Sequence, residues 1–453
     1  MTSPRARLLA LVGALLAGGV LRAQEAPSAS GSAPADSPAE ASTGLHFQFT
    51  AVTQSHPAFD ARYSGKNSLG ADSEHETTVT STLSLGARLW AGAELYVDPE
   101  LSGGSGLSRA LGVAGFPNGE SFRVGDSQPR VYIARAMLRQ TIAAGTETEK
   151  TEEVKEEANQ LGGRRPVRRW TLTVGKFGIG DFFDDNTYSH DPRTQFMNWA
   201  DWTAGAWDYS ADTRGYTWGF VVEYNDALWA ARAGAAAQPR IANGLEFDKR
   251  PLHAYALSGE LERRYEIGDE KGTARLILFY NRAHMGSYRE AIDGAAGEAP
   301  DITATRRTGR SKWGFVVNVE QALGPRSGLF LRGSWNDGHN ESWAYAEIDR
   351  SVTAGAVRKA PLAVRPDDEA GIAVIVNGIS RDHRDYLAAG GYGFMIGDGR
   401  LSYGLETIAE GYYQAALQKH LWLAVNYQFL EHPAYNRDRG PVHVFGGRFH
   451  VEF

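Results

Sequence analysis

The sequence predicts an all-β protein: an antiparallel transmembrane β-barrel of about sixteen strands, with long loops at one end and one of them folded into the lumen. Three observations predict it. Segments of about ten residues alternate apolar and polar side chains with period two. The connections between them alternate short and long, and the chain ends on an alternating strand whose last residue is Phe453.

Leu45, Phe47, Phe49 and Ala51 share one face while His46, Gln48 and Thr50 share the other. Val79, Leu83, Leu85, Ala87 and Leu89 oppose Thr78, Thr80, Thr82, Ser84 and Arg88 in the same way. Ala93, Leu95, Val97 and Leu101 oppose Glu94, Tyr96, Asp98 and Glu100. Later segments repeat the pattern at Tyr216–Tyr224, Trp313–Val319 and Leu329–Trp335. A soluble β-sandwich alternates too, but its strands average about five or six residues and nothing obliges its connections to alternate in length. Counting back from the last strand, Pro441 to Phe453, gives strands near 421–430, 404–417, 371–379, 347–358, 326–335, 312–322, 272–283 and 252–265. Those near 227–236, 214–224, 169–178, 129–142, 92–103, 77–90 and 45–54 complete the count. An even number suits a single-chain bacterial barrel and puts both termini on the periplasmic side. In the last strand Phe445, Gly447, Phe449, Val451 and Phe453 would face lipid, and Val444, Gly446, Arg448, His450 and Glu452 the lumen.

The N-terminus fits export. Arg5 and Arg7 precede an apolar run from Leu8 to Leu21, and Ala23 precedes Gln24, so residues 1–23 are expected to be a cleaved signal peptide. Residues 24–43, rich in Pro, Ala and Ser, read as a flexible linker, and 44–453 as the barrel. The formal net charge is −7 over the whole chain. Loss of Arg5, Arg7 and Arg22 with the signal makes the mature protein more acidic, which argues against a nucleic-acid partner. Cysteine is absent, which excludes thiolate metal sites and thiol nucleophiles. Eleven Trp, nineteen Tyr, nineteen Phe and 52 Gly suit aromatic girdles and turns. One connection departs from the pattern. The stretch 143–169 lies where a short periplasmic turn is due, yet it is long and carries both signs of charge, so it is expected to be a solvated, flexible insertion.

Within this frame, Val174 to Gly219 reads VGKFGIGDFFDDNTYSHDPRTQFMNWADWTAGAWDYSADTRGYTWG and resembles the carbohydrate-selective outer-membrane porins, the OprB-like family. Leu111–Gly119 (LGVAGFPNG), Ala134–Ile142 (ARAMLRQTI), Asn377–Gly391 (NGISRDHRDYLAAGG) and the final stretch from His432 to Phe453 carry the same resemblance. It covers nearly all of the chain beyond Leu45. What it implies is a water-filled outer-membrane barrel through which small neutral sugars, typically glucose, diffuse down their gradient. It also implies recognition of the terminal strand by the barrel-assembly machinery; many porins trimerise, so a homotrimer is one assembly to expect. The alternative is a general, weakly selective pore for small solutes.

A neutral sugar presents hydroxyls that donate and accept, together with apolar C–H faces. A selective constriction therefore needs guanidinium donors, carboxylate acceptors and flat aromatic surfaces, all binding weakly enough to release. The loop from Ile179 to Thr213 holds that mixture: Asp184, Asp185, Asp191, Arg193, Trp199, Trp202, Trp207 and Asp208 are its candidates, beside Asp181, His190, Tyr209 and Asp212. At about 35 residues it is long enough to fold into the pore. Period-two parity in Tyr132 to Ile142 sets Tyr132, Ala134, Ala136 and Leu138 toward lipid and Arg135 and Arg139 inward, because an arginine on the lipid face costs about 2–4 kcal/mol near the midplane. Arg88 and Glu94 face inward by the same parity. No hydrolase, nucleotide or zinc motif is present, Ser189-His190-Asp191 are too close in sequence to form a triad, and the acidic cluster Asp181, Asp184, Asp185 lacks calcium-loop spacing. Catalysis, cofactor and metal are not expected.

Overall fold

The computed structural model describes residues 41–453 apart from 122–126, 146–149 and 346. The expected signal peptide, and the linker up to residue 40, lie outside the described residues. Strands β1 (Thr43–His56), β2 (Glu74–Trp90), β3 (Ala93–Gly104) and β4 (Arg130–Ala143) come first. A separate hairpin, β5 (Thr151–Val154) and β6 (Gly163–Pro166), precedes β7 (Arg169–Phe177), β8 (Thr217–Asn225), β9 (Trp229–Ala237), β10 (Tyr255–Ile267) and β11 (Glu270–Ala283). The wall continues with β12 (Arg310–Ala322), β13 (Ser327–Asn336), β14 (Arg350–Lys359), β15 (Glu369–Gly378), β16 (Glu406–Gln418), β17 (Leu421–Glu431) and β18 (Val442–Glu452). All except β5 and β6 form one closed antiparallel barrel, each strand beside its sequence neighbour and β18 returning to β1. The wall therefore has sixteen strands.

Closure matters because an open edge would leave unpaired peptide groups in hydrocarbon. The seam runs from Gln48 opposite Glu452 to Ser55 opposite Phe445. Phe453 completes it: its N–H donates to the Phe47 carbonyl (2.9 Å) and its carbonyl accepts from the Phe47 N–H (3.0 Å).

The outer surface carries the apolar half of the alternation. Leu172, Val174, Phe220, Phe315, Val317, Val425 and Phe445 are exposed, as a lipid-facing band requires. Exposed Trp90, Trp170 and Trp229 sit at the end with short turns, and exposed Trp218 and Trp313 at the end with long loops, giving an aromatic girdle at each rim. The polar half faces inward: Thr78, Thr80, Thr82, Ser84, Asn318, Arg332, Arg448 and His450 are all buried within the barrel.

The expected phase fails in one strand. Opposite β3, Asp98 pairs with Arg135 but Pro99 pairs with Ile133, so Ala134 is an extra residue in β4. Proline cannot donate to the ladder, and a β-bulge at that point reverses the inward–outward phase on its far side. Val131 and Ile133 consequently face out, and Tyr132, expected toward lipid, points into the lumen. Beyond the bulge the expected phase holds for Arg135 and Arg139.

The insertion between β4 and β7 also differs from expectation. Its charges pair across an ordered hairpin, Glu152 beside Arg165 and Glu153 beside Arg164, with Glu152 accepting from both Arg165 (2.7 Å) and Arg169 (3.0 Å). The described linker residues are also held: Ala41 donates to Gly162 (3.1 Å) and Ser42 accepts from Arg88 N–H (2.8 Å).

Candidate functional site

The loop between β7 and β8 lies inside the barrel, and its hydrogen bonds show why it stays there. Inward side chains on the far wall clamp its backbone: Glu410 accepts from Met197 N–H (2.6 Å) and Asn198 N–H (3.0 Å). Arg332 donates to the carbonyls of Asp201 (2.7 Å) and Ser189 (2.5 Å), Arg448 to those of Pro192 (2.8 Å) and Gln195 (2.6 Å). Thr353 donates to Ala200, and Ser334 accepts from Ala206 N–H. A loop with this many buried peptide groups needs such partners, since each unsatisfied one would cost about 1–3 kcal/mol. With the loop against β10 to β18, open space remains beside β2 to β4 and β7 to β9.

Two cavities occupy that space. One, of about 660 Å³, faces the long-loop end and is lined by Glu100, Glu120, Arg135, Arg193, Trp199 and Tyr216 among others. The other, of about 530 Å³, faces the short-turn end and includes Arg88, Glu94, Asp185 and Arg232. They share Arg139, Gln160, Gly180, Asp181 and His190, which therefore form the neck between them.

Above the neck the charges are paired in a chain. Arg135 holds Asp181 by two bonds (2.7 and 2.6 Å) and reaches Asp98 (3.5 Å). Arg193 reaches Glu120 (3.0 Å) and Glu100 (3.4 Å). Glu100 also accepts from Tyr132 (2.5 Å), Tyr216 (3.1 Å) and Thr82 (2.7 Å). Burial raises the Asp181 carboxyl, but the charge and hydrogen bonds of Arg135 and the Gly178 N–H more than offset it, so the group titrates below the ordinary aspartate range. Asp191 is likewise held low: burial opposes, and Arg193 and the Thr194 hydroxyl prevail. Pairing of this kind leaves donors and acceptors at the passage without a strong net field.

Aromatic faces line the larger cavity. Trp199 stacks on Phe116 at 5.2 Å and lies 4.7 Å from Tyr345, with Trp202 edge-on at 4.8 Å. Tyr209 and Tyr216 complete this lining, and Arg135 lies 5.3 Å from the Tyr216 ring centre.

Nine of the expected site residues thus reach the open space: Arg88, Glu94, Arg135, Arg139, Asp185, Asp191, Arg193, Trp199 and Trp202. The other three fix the loop and line neither cavity. Asp184 pairs with Arg332 (3.1 Å) and accepts from Asn318 and Ala204. Asp208 accepts from Trp343 and Ala344 N–H, and Trp207 packs edge-on against Phe183 at 6.2 Å. The reason is spacing in three dimensions: the three acids of the Asp181–Asp185 cluster each face a different arginine, respectively Arg135, Arg332 and Arg275. Among the described residues no group of three or more His, Cys, Asp or Glu is placed to hold a metal ion.

Sequence reasoning omitted Asp98, Glu100, Tyr132, Tyr216 and Glu120 from the candidates and placed Asp181 only beside them. The parity of β3 already turned Asp98 and Glu100 inward, so that signal was present. Tyr132 was hidden by the bulge, and Tyr216 lies one residue ahead of β8, where strand parity does not apply.

The sequence profile described as "Carbohydrate-selective porin, OprB family" matches residues 60–453. A structure of Pseudomonas putida OprB at high pH superposes with a TM-score of 0.66 at 16% identity, over 91% of this chain and 94% of that one. The low-pH structure of the same protein gives a TM-score of 0.48 at 13% identity, over 91% and 93%. The outer-membrane channel DcaP of Acinetobacter baumannii gives 0.47 at 11%, over 91% and 97%. Among curated proteins no relative matches. The first superposition shows the fold.

Proposed function

Because this chain belongs to the OprB family of carbohydrate-selective porins, we propose that neutral monosaccharides of glucose size diffuse through it by way of the two cavities and the neck between them. The protein is a sugar-selective channel of the Gram-negative outer membrane, and its family and fold are those of transport channels. The observation that carries the finer reading is the passage itself, where paired arginines and carboxylates lie beside the rings of Trp199, Trp202 and Tyr216. A sugar hydroxyl exchanging water for Arg193 or Glu120 keeps its hydrogen bonds, and its C–H face gains contact with an indole. A small ion gains no comparable surface. Exchange of this kind is weak at each station, which lets the solute leave.

In this reading residues 1–23 direct export, the short-turn end faces the periplasm and the long loops face outward. The test is planar-bilayer conductance. Glucose should block the current in a concentration-dependent way, whereas a non-sugar osmolyte of similar size should not. Equal effects of both would favour the general pore and sink the sugar preference.

A further inference from the structure

We propose that the hairpin formed by β5 and β6 is a resident third side of the neck, entering from the short-turn mouth and setting the size limit of the passage. The inference uses the reading of the lumen as a passage but not its preference for sugar.

Its placement follows from the contacts of its tip. Asn159 donates to Asp98 (2.8 Å), and Arg139 donates to the Asn159 carbonyl (2.9 Å). Leu161 N–H donates to the Tyr96 hydroxyl (3.1 Å), and Gly162 accepts from Ala41. Asp98, Arg139 and Tyr96 are inward residues of β3 and β4, so only a segment inside the barrel can reach them. Asp98 lies five positions beyond Ala93, a climb of roughly 16 Å along the strand at about 3.3 Å per residue.

The wall carries a seat for this tip. The Leu161 side chain is buried over Gly44 and Gly86, where an added Cβ would lie 2.9 and 3.1 Å from its Cδ2. Any larger residue at either glycine would compete with Leu161 for the same volume. The hairpin is also stiff. Four residue pairs join its strands, and Glu157 and Gln160 exchange two backbone bonds of 3.0 Å at the tip. Stiffness matters because a loose loop would be swept aside by a passing solute.

Gln160 lines both cavities together with Gly180, Asp181 and His190 of the lumen loop and Arg139 of the wall. The narrowing is therefore built by three elements from two ends of the barrel. The mixed charges of this insertion have a corresponding role: they hold the hairpin rigid at the mouth while Leu161 and Asn159 anchor its tip.

The experiment replaces Thr151–Pro166 by Gly-Ser-Gly, joining Lys150 to Val167, whose backbones are already hydrogen-bonded at 2.9 Å. Single-channel conductance should rise by roughly twofold or more, and larger polyethylene glycols should enter the pore, because removing a wall of a constriction widens it. A variant that keeps the heat-modifiable gel shift of a folded barrel but has wild-type conductance and exclusion limit would overturn the proposal. Leu161→Asp provides a second route should the deletion fail to assemble: an undocked tip should raise conductance in the same direction, and unchanged conductance would count against the hairpin. Absence of glucose block in the unaltered protein would remove the sugar reading without touching either outcome.

Discussion

Arg135 and Asp181 meet at the neck between the two cavities. Their two short bonds tie a wall strand to the lumen loop, and the same tie holds the Asp181 carboxyl below the ordinary aspartate range. A carboxyl held below its unfolded value stabilises the fold above that value and loses the contribution as pH falls through the folded one. The pair should therefore keep its charge from about pH 5 to 8 and weaken only below about 3.9. Ion selectivity, read as reversal potential in a salt gradient, should be flat over the first range and drift in the second. Asp181→Asn leaves Arg135 with Asp98 at 3.5 Å, so the reversal potential should move toward anions and the glucose block should weaken. An unaltered reversal potential would remove Asp181 from the passage. Asp201, in the same loop, is pushed well up by burial and then by the neighbouring Glu410 charge. It lines neither cavity, and Asp201→Asn should leave conductance unchanged.

The lumen loop is the element on which the site depends, and its hold is distributed over the far wall. Arg332 alone touches Asp184, Ser189 and Asp201, and it is fully buried. Removing one partner of a buried ion pair strands the other, at a cost of about 3–5 kcal/mol. Arg332→Met should thus release the loop locally, giving noisier and larger single-channel currents, while the barrel keeps its heat-modifiable shift. Quiet wild-type currents would mean that the remaining clamps suffice. The loop's mixture of acids, arginines and tryptophans was legible in the sequence, because density of such residues in a long connection is a local property. Which of them reach water was not. Asp184 and Asp208 look like Asp185 and Asp191 in one dimension and differ in what meets them, Arg332 for the first and the Trp343 and Ala344 N–H groups for the second.

For the whole molecule, closure is the governing event, and Phe453 lies at its end. Its two backbone bonds to Phe47 and its stacking on His420 at 5.5 Å lock the seam. Deleting Phe453 should lower the yield of heat-modifiable barrel, and Phe453→Ala, which keeps the backbone bonds, should lower it less. Equal yields from both variants would assign the effect to recognition of the side chain during assembly. The mature protein should begin at Gln24, which mass spectrometry of the membrane fraction checks directly.

By itself the sequence determined the strand count, the antiparallel order and the side of most residues. Those follow from a period of two and an alternation of loop lengths broken only at 143–169, both of which are local and repeat along the chain. Tertiary structure decided three things that no local period carries. The bulge opposite Pro99 turned Tyr132 inward, a consequence of how two strands meet. The far wall chose which loop residues became anchors and which stayed open to the passage. The charged insertion, which reads as solvated and flexible, packs its tip on the inner wall, where Gly44 and Gly86, far away in sequence, leave room for Leu161.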